Sequence, residues 1–490
     1  MEQAKRLLRD SAALRFSVLF MISVLMFGTY WFQDVLSPLK GLFESQLGLT
    51  SSQYGLLVSS TTWANLALMI ILGGMALDRW GIRKTGMVLA LIATIGAFVV
   101  ALGSKGYFGG SKKAMMVSMV IGRILFGVGL ETTCVLVSRT IVKWFKGHEL
   151  AFAMGLNLLV ARLGSYFAIS FGLDWSGGSI SVAMITAASL VLFGTILFLA
   201  YLIFDVRLDR QMAAGGEAAP EEKFKFSDLG KLLTDHSFIY ISLLCVAFYS
   251  AVFPFLQYAP DLLVNKFGFT FAMPDMSGMT FWQKVSTFFH NGPKVSGLIP
   301  LGTMFFTPIF GRLVDKKGKA ASIMILGSIL LIYAHITLSL LDSVVLGYTG
   351  LFALGVAFSL VPAAMWPSVA KIVAENKLGT AYATMFTIQN YGLSLFYWGI
   401  GKVLDLANPK VIAEMQAARE SLMAQGLAPE AVSTRIDEMR AAGEIASYNY
   451  TIPILMLVAL GVISIFLALL LRNADKRQKY GLELPSGQSQ

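Results

Sequence analysis

Twelve apolar stretches divide the chain, each close to the length needed to cross a hydrocarbon core about 30 Å thick. They are Phe16–Trp31, Leu56–Leu77, Met87–Leu102, Met115–Val137, Leu150–Phe171, Ile180–Phe204, Phe238–Tyr258, Val295–Phe310, Ile323–Leu340, Val345–Ile372, Ala381–Val403 and Ile452–Leu471. Most segments between them are short. Two stand out on the outer side, Thr270–Lys294 and Asn408–Ser447. The second reads as a soluble helical hairpin. Ile412, Met415 and Met423 mark one apolar face, Val432, Ile436 and Met439 mark another, and Gly426–Pro429 breaks the pair. Such a hairpin is expected to cap the membrane part or to dock a partner. The pattern predicts an all-α membrane protein with twelve transmembrane helices. The first run is not expected to be a cleaved signal, because Tyr30-Trp31-Phe32-Gln33-Asp34 offers no small-residue cleavage site.

Composition narrows the class further. Of the 490 residues, 56% are apolar and 14% charged, against about 25% charged in soluble domains. The net charge of +10 is expected to reflect loop asymmetry rather than nucleic-acid binding. Arg9, Arg15, Arg79, Arg83, Lys84, Arg139, Lys143, Arg312, Lys316 and Lys476 fall on one side of the alternating runs, and few bases fall on the other. With an even number of spans, this places both termini in the cytoplasm. Cys134 and Cys245 lie inside apolar runs and suggest neither a disulfide framework nor a metal site. No nucleotide-binding, metallohydrolase or triad pattern is present, so neither an enzyme nor a cofactor is expected.

The loop after the second run reads Gly74-Met-Ala-Leu-Asp78-Arg79-Trp-Gly81-Ile-Arg83. The loop after the eighth reads Gly311-Arg-Leu-Val-Asp315-Lys316-Lys-Gly318. Two copies of one pattern, 237 residues apart, predict two six-helix halves related by an internal repeat. The expected division is 1–205 for the first bundle, 206–236 for a cytoplasmic linker and 237–472 for the second bundle. The second bundle carries outer insertions at 270–294 and 408–447, and 473–490 forms a tail. In each loop the carboxylate and bases are suited to a latch that breaks as the halves rock, which makes Asp78, Arg79, Arg83, Asp315 and Lys316 gating candidates.

Ionisable residues inside spans are functional candidates by default. Glu131 in run four and Arg162 in run five lie roughly 16–20 Å deep from their shared loop, near the midplane. They can pair with each other, or they can hold the ammonium and carboxylate of a zwitterion. Arg123 sits nearer the outer end of run four, followed by Gly127 and Gly129, and is a further gating candidate or a structural arginine. Asp34 and Asp261 are expected near the outer ends of runs one and seven, within reach of water. Tyr30, Asn65, Tyr249, Phe253, Trp366, Gln389 and Asn390 are candidates to line the cavity. His335 is expected to be a satisfied interior histidine.

The repeated loops, and Arg123 with its spaced glycines, resemble the major facilitator superfamily. Further strings resemble its lysosomal dipeptide transporter branch: Trp144-Phe-Lys-Gly-His-Glu-Leu150, Ala161-Arg162-Leu-Gly-Ser165, Ala251-Val-Phe-Pro-Phe255, Trp366-Pro367, Leu378-Gly-Thr-Ala-Tyr382 and Gln389-Asn390. The resemblance implies a facilitated carrier of dipeptides in which Glu131 and Arg162 bind the peptide termini. A proton-coupled carrier of peptides or small organic anions is the alternative. The expected partners are dipeptides and the lipid bilayer, with the chain a monomer and any accessory protein at the outer loops. The outer insertions and the lack of an acidic dileucine signal favour a bacterial inner membrane over a lysosomal one.

Overall fold

A computed structural model describes residues 7–214, 226–374 and 377–485. Residues 215–225 of the expected linker, and the side chain of Asp78, lie outside the described part. Ten helices are long and apolar enough to cross a membrane, and the bent pair Ser51–Leu66 and Met69–Leu77 makes an eleventh span. The 30-residue helix Leu378–Ala407 completes the twelve. It carries Gln389, Asn390 and Tyr391 at mid-length and is correspondingly less apolar.

In chain order the spans are α1 (Ala12–Asp34), α2 (the bent pair), α3 (Arg79–Ser104), α4 (Lys112–Phe145), α5 (Leu150–Trp175) and α6 (Ile180–Ala214). The second half has α7 (His236–Phe267), α8 (Gly292–Lys317), α9 (Ala320–Leu340), α10 (Val344–Ile372), α11 (Leu378–Ala407) and α12 (Thr451–Gln478). Within the first half α1 packs on α5 and α6, and α3 on α4 and α6. Within the second, α9 packs on α10 and α12, and α7 on α11 and α12. The halves meet where α2 lies on α11 and where α5 lies on α8. Both termini lie on one side, called here the terminal side. The opposite side is distal.

Small residues permit the inter-half crossing. A side chain at Gly55 would run into the Tyr258 hydroxyl and the Tyr397 carbonyl, and one at Gly401 would run into the Ser51 carbonyl. Close backbone approach of this kind is what small residues supply between membrane helices. The α2 helix bends by 50° at its break, where Leu68 adopts φ 63°. The Leu66 carbonyl beside the break accepts a hydrogen bond from the Tyr391 hydroxyl of α11 at 2.8 Å. A kinked span survives in lipid only when neighbouring helices satisfy the freed backbone groups.

Three expectations need correction. The insertion ends earlier than 294, because α8 starts at Gly292 and Lys294 is a buried member of that helix. The tail from 473 is not free. The α12 helix continues to Gln478, and the following residues dock on the α8–α9 turn through Lys319 N to the Glu483 carbonyl at 3.1 Å and Ala320 N to the Leu482 carbonyl at 3.0 Å. The hairpin is more than a cap. Its helices Pro409–Ala424 and Pro429–Ala441 bury Met415, Val432 and Ile436 as expected, but Met423 is exposed. Arg419 donates to the Ser45 and Gln46 carbonyls at 3.1 and 3.0 Å, and Gln46 donates to Ser433 Oγ at 3.1 Å. The hairpin therefore straps the second half onto the short distal helix Lys40–Ser45 of the first.

Gly401→Leu is expected to wedge α2 away from α11. Spin labels on the distal ends of these helices should report a longer distance in the variant. An unchanged distance would mean that the crossing does not depend on the absent side chain.

Candidate substrate cavity and its distal closure

The mid-depth residues are set by helix geometry. Glu131 on α4 and Arg162 on α5 lie about 21 and 18 Å from the terminal-side ends of their helices. Both are half-buried. Among the described residues no ion pair joins them. The Arg162 guanidinium lies 5.9 Å from the Tyr30 ring and 4.9 Å from the Phe358 ring of the opposite half. Glu131 instead has the Asn390 amide within hydrogen-bonding reach, and Asn390 accepts from Asn65 Nδ2 at 3.3 Å across the two halves. Tyr30 has both Glu131 and Arg162 among its electrostatic neighbours. The carboxylate and guanidinium are thus not paired among the described residues, and the Tyr30 phenol neighbours both electrostatically.

The second half supplies an aromatic wall. Trp366 Nε1 donates to the Tyr249 hydroxyl at 3.0 Å. Tyr249 stacks on Phe253 at 5.3 Å, Phe253 meets Phe358 edge-on at 5.3 Å, and Trp366 stacks on Phe386 at 4.8 Å. Tyr249, Phe253 and Trp366 thus form one cluster, while Asn390 meets Asn65 of the other half. Gln389 is turned elsewhere. It is buried, and it accepts from the Cys245 thiol at 3.2 Å inside the second half. His335 is fully buried, with Nδ1 2.8 Å from the Leu331 carbonyl. Phe358 and Phe386 were not legible as cavity residues, because one phenylalanine among 35 carries no positional signal.

Of Asp34 and Asp261, the second sits differently from expectation. Asp34 accepts from Gln257 Nε2 of the other half at 3.0 Å and has Arg162 and Arg123 as electrostatic neighbours. It is the last residue of α1 and is half-buried. Asp261 is fully buried and pairs with Lys40, also fully buried, at 2.9 Å. Lys40 also meets Glu44 at 2.7 Å, and the Tyr450 hydroxyl donates to Asp261. Burying charges is tolerable only with such complete pairing.

This Lys40–Asp261 pair anchors a closed distal layer. Both Asp405 oxygens accept from the first backbone N–H groups of α2, Ser51 at 3.0 Å and Ser52 at 2.8 Å. A carboxylate from one half thus caps a helix N-terminus of the other, where the helix dipole favours negative charge. The Ser37 hydroxyl donates to the Leu256 carbonyl at 2.6 Å, and Tyr258 donates to the Tyr397 carbonyl at 2.9 Å. Lys294 of α8 reaches Asp174 and the Ser170 carbonyl of α5. Arg123 is fully buried under this layer and donates to Gln33 Oε1 at 3.1 Å. Among the described residues, every hydrogen bond and ion pair between the halves lies at mid-depth or on the distal side. These described contacts close the distal side.

A sequence model described as Major Facilitator Superfamily matches residues 19–397. The protein belongs to the major facilitator superfamily. Its relatives include the lysosomal dipeptide transporter MFSD1 of Mus musculus, 30% identical over 407 residues covering 80% of each chain. The Danio rerio protein of that name is 29% identical over 80% of this chain and 81% of its own. A hexuronate transporter of Bacillus subtilis is 26% identical over 74% of this chain and 81% of its own. Among solved structures, the inward-open xylose transporter XylE of E. coli aligns with TM-score 0.63 at 13% identity over 97% of this chain and 98% of its own. A bacterial homologue of the human lysosomal transporter Spinster, in an inward-facing conformation, aligns with TM-score 0.63 at 17% identity over 96% and 99%. These two likenesses show the fold. The protein is a multi-pass membrane transporter of the superfamily.

The repeated loop of this superfamily carrier has partners that the sequence did not reveal. Arg83 pairs with Asp209 at 3.0 Å, and Lys143 pairs with Asp205 at 2.7 Å and Asp209 at 2.6 Å. The Tyr201 hydroxyl donates to Asp205 at 2.8 Å. The loop bases are thus held by two carboxylates one turn apart at the end of α6. Arg79, Asp315 and Lys316 are exposed at the terminal-side surface.

Asp261→Asn leaves Lys40 buried with one carboxylate fewer. Removing one partner of a buried pair costs roughly 3–5 kcal/mol, so states that expose Lys40 to water gain weight. With Cys134 replaced by Ser, a cysteine at buried Ser37 should react with a maleimide at least tenfold faster in the Asp261→Asn background. An equal rate would show that this pair does not hold the distal layer.

Proposed function

We propose that this superfamily member carries dipeptides by alternating access and facilitated diffusion. The observation that supports the reading most strongly is that Glu131 and Arg162 lie at similar depth on neighbouring helices with no ion pair joining them among the described residues, and with Tyr30 an electrostatic neighbour of both. A peptide ammonium fits Glu131 with Asn390, and a peptide carboxylate fits the fork of Arg162. The aromatic wall of Tyr249, Phe253, Phe358 and Trp366 gives side chains an apolar, shape-tolerant surface, consistent with broad specificity. The MFSD1 relatives, which are lysosomal dipeptide transporters, agree with this cargo. With both termini in the cytoplasm, the cavity faces inward. A bacterial inner membrane is the proposed location, and Asp78 and Asp315 with the loop bases form the proposed latch on that side.

Glu131→Gln and Arg162→Lys should each reduce dipeptide uptake into proteoliposomes below a tenth of wild type, with unchanged melting temperature. The first removes the charge that meets the ammonium, and the second removes the planar bidentate donor. Near-normal uptake by both would overturn the reading.

A second reading, proton-coupled transport, is favoured by one observation. Glu131 and Asp34 are half-buried carboxylates, and neither is in an ion pair among the described residues. Uniport predicts that a neutral dipeptide equilibrates across proteoliposomes with or without an inward proton gradient. Accumulation above equilibrium that a protonophore abolishes would establish the coupled reading.

A further inference from the structure

A second chamber of about 660 Å³ lies on the distal side, separate from the central cavity. Its walls come from every part of the closed layer. Leu42 and Trp175 belong to the first half, Phe271 and Met273 to the first insertion, and Glu430 and Asp437 to the hairpin. Its apolar surface is large enough to hold an aromatic ring, while its charges are unbalanced. Lys294 is the chamber's one basic lining residue, and it is already held by Asp174 and the Ser170 carbonyl. The carboxylates of Glu430 and Asp437 have no hydrogen bond or ion pair among the described residues. Nearby Arg440 is engaged by Glu44 at 3.8 Å.

We propose that this distal chamber is a binding site for a small organic cation, a primary ammonium on an aromatic or branched apolar body. The ammonium meets Asp437 and Glu430, and the body lies on Trp175, Phe271 and Met273. This site is independent of what the central cavity carries. Because both halves and the hairpin form its walls, an occupant ties the distal layer shut and slows transport.

Asp437 and Glu430 are exposed at the chamber wall, and the protein packed around Asp437 raises its carboxyl to about 6, with Arg440 opposing the shift and Asp261 adding to it. The other titratable groups facing it are Asp174, Lys294 and Glu430. A carboxyl raised in this way is charged at pH 7.5 and protonated at pH 5, so cation binding weakens as pH falls through 6.

The test is calorimetry of the full-length protein in detergent with tryptamine, and with indole-3-acetate as the ring of opposite charge. The expected result at pH 7.5 is one tryptamine site and no indole-3-acetate binding. Asp437→Asn and Glu430→Gln should each weaken tryptamine at least tenfold, and binding should be weaker at pH 5. Leu42→Trp, which fills the chamber and leaves its charges, should abolish binding even where a charge variant folds poorly. Equal binding of both indoles, or unchanged tryptamine affinity in all three variants, would overturn the proposal. So would a loss confined to Glu131→Gln, which would place the amine in the central cavity.

Discussion

An ionised side chain in the middle of a membrane protein must be given a partner, by protein or by water. The arrangement of this carrier follows from where that requirement is met internally. Lys40 is enclosed by Asp261 and Glu44, so its charge is complete without solvent and the distal layer seals around it. Glu131 and Arg162 are treated in the opposite way. Amides and aromatic faces surround them, but no counter-ion lies in contact. In the proposed reading, water or a zwitterionic cargo completes them, so that one region is a lock and the other a site.

The lock crosses the boundary between the halves several times, each time with a different chemistry. Asp405 caps α2, Lys40 pairs with Asp261, and Lys294 reaches Asp174. Opening the distal side must expose these charges to water rather than leave them buried and unpaired. Rehydration offsets part of the lost pairing, so the two states of such a carrier can lie close in free energy. The hairpin adds a further restraint. Arg419 and Ser433 grip residues 45 and 46, so the hairpin must release them or move with the first half during each cycle.

Much of the fold was legible because lipid imposes a simple rule on sequence. Twelve spans read as apolar runs, and the helical hairpin read from its two apolar faces and the Gly426–Pro429 break. The depth of Glu131 and Arg162 followed from helix rise alone. Partnership was harder to read. Nothing in the order of residues pairs Arg83 and Lys143 with Asp205 and Asp209, or turns Gln389 toward Cys245 while Asn390 turns toward Asn65. The bend at Leu68 has no local signal, since a leucine at positive φ is held there by its neighbours. Asp261 was expected within reach of water and is fully buried, because counting residues from the end of a run says nothing about how much chain folds over that end.

The central claim is that Glu131 and Arg162 read opposite ends of one peptide. Double-mutant-style cycles between ligand and protein test it directly. Binding of a free dipeptide, its N-acetyl form and its C-amide would be measured on the wild type, Glu131→Gln and Arg162→Lys. The claim predicts that acetylation weakens binding to the wild type but not to Glu131→Gln, while amidation still weakens binding to Glu131→Gln. The reverse pattern is predicted for Arg162→Lys. Penalties that are the same in all three proteins would contradict it.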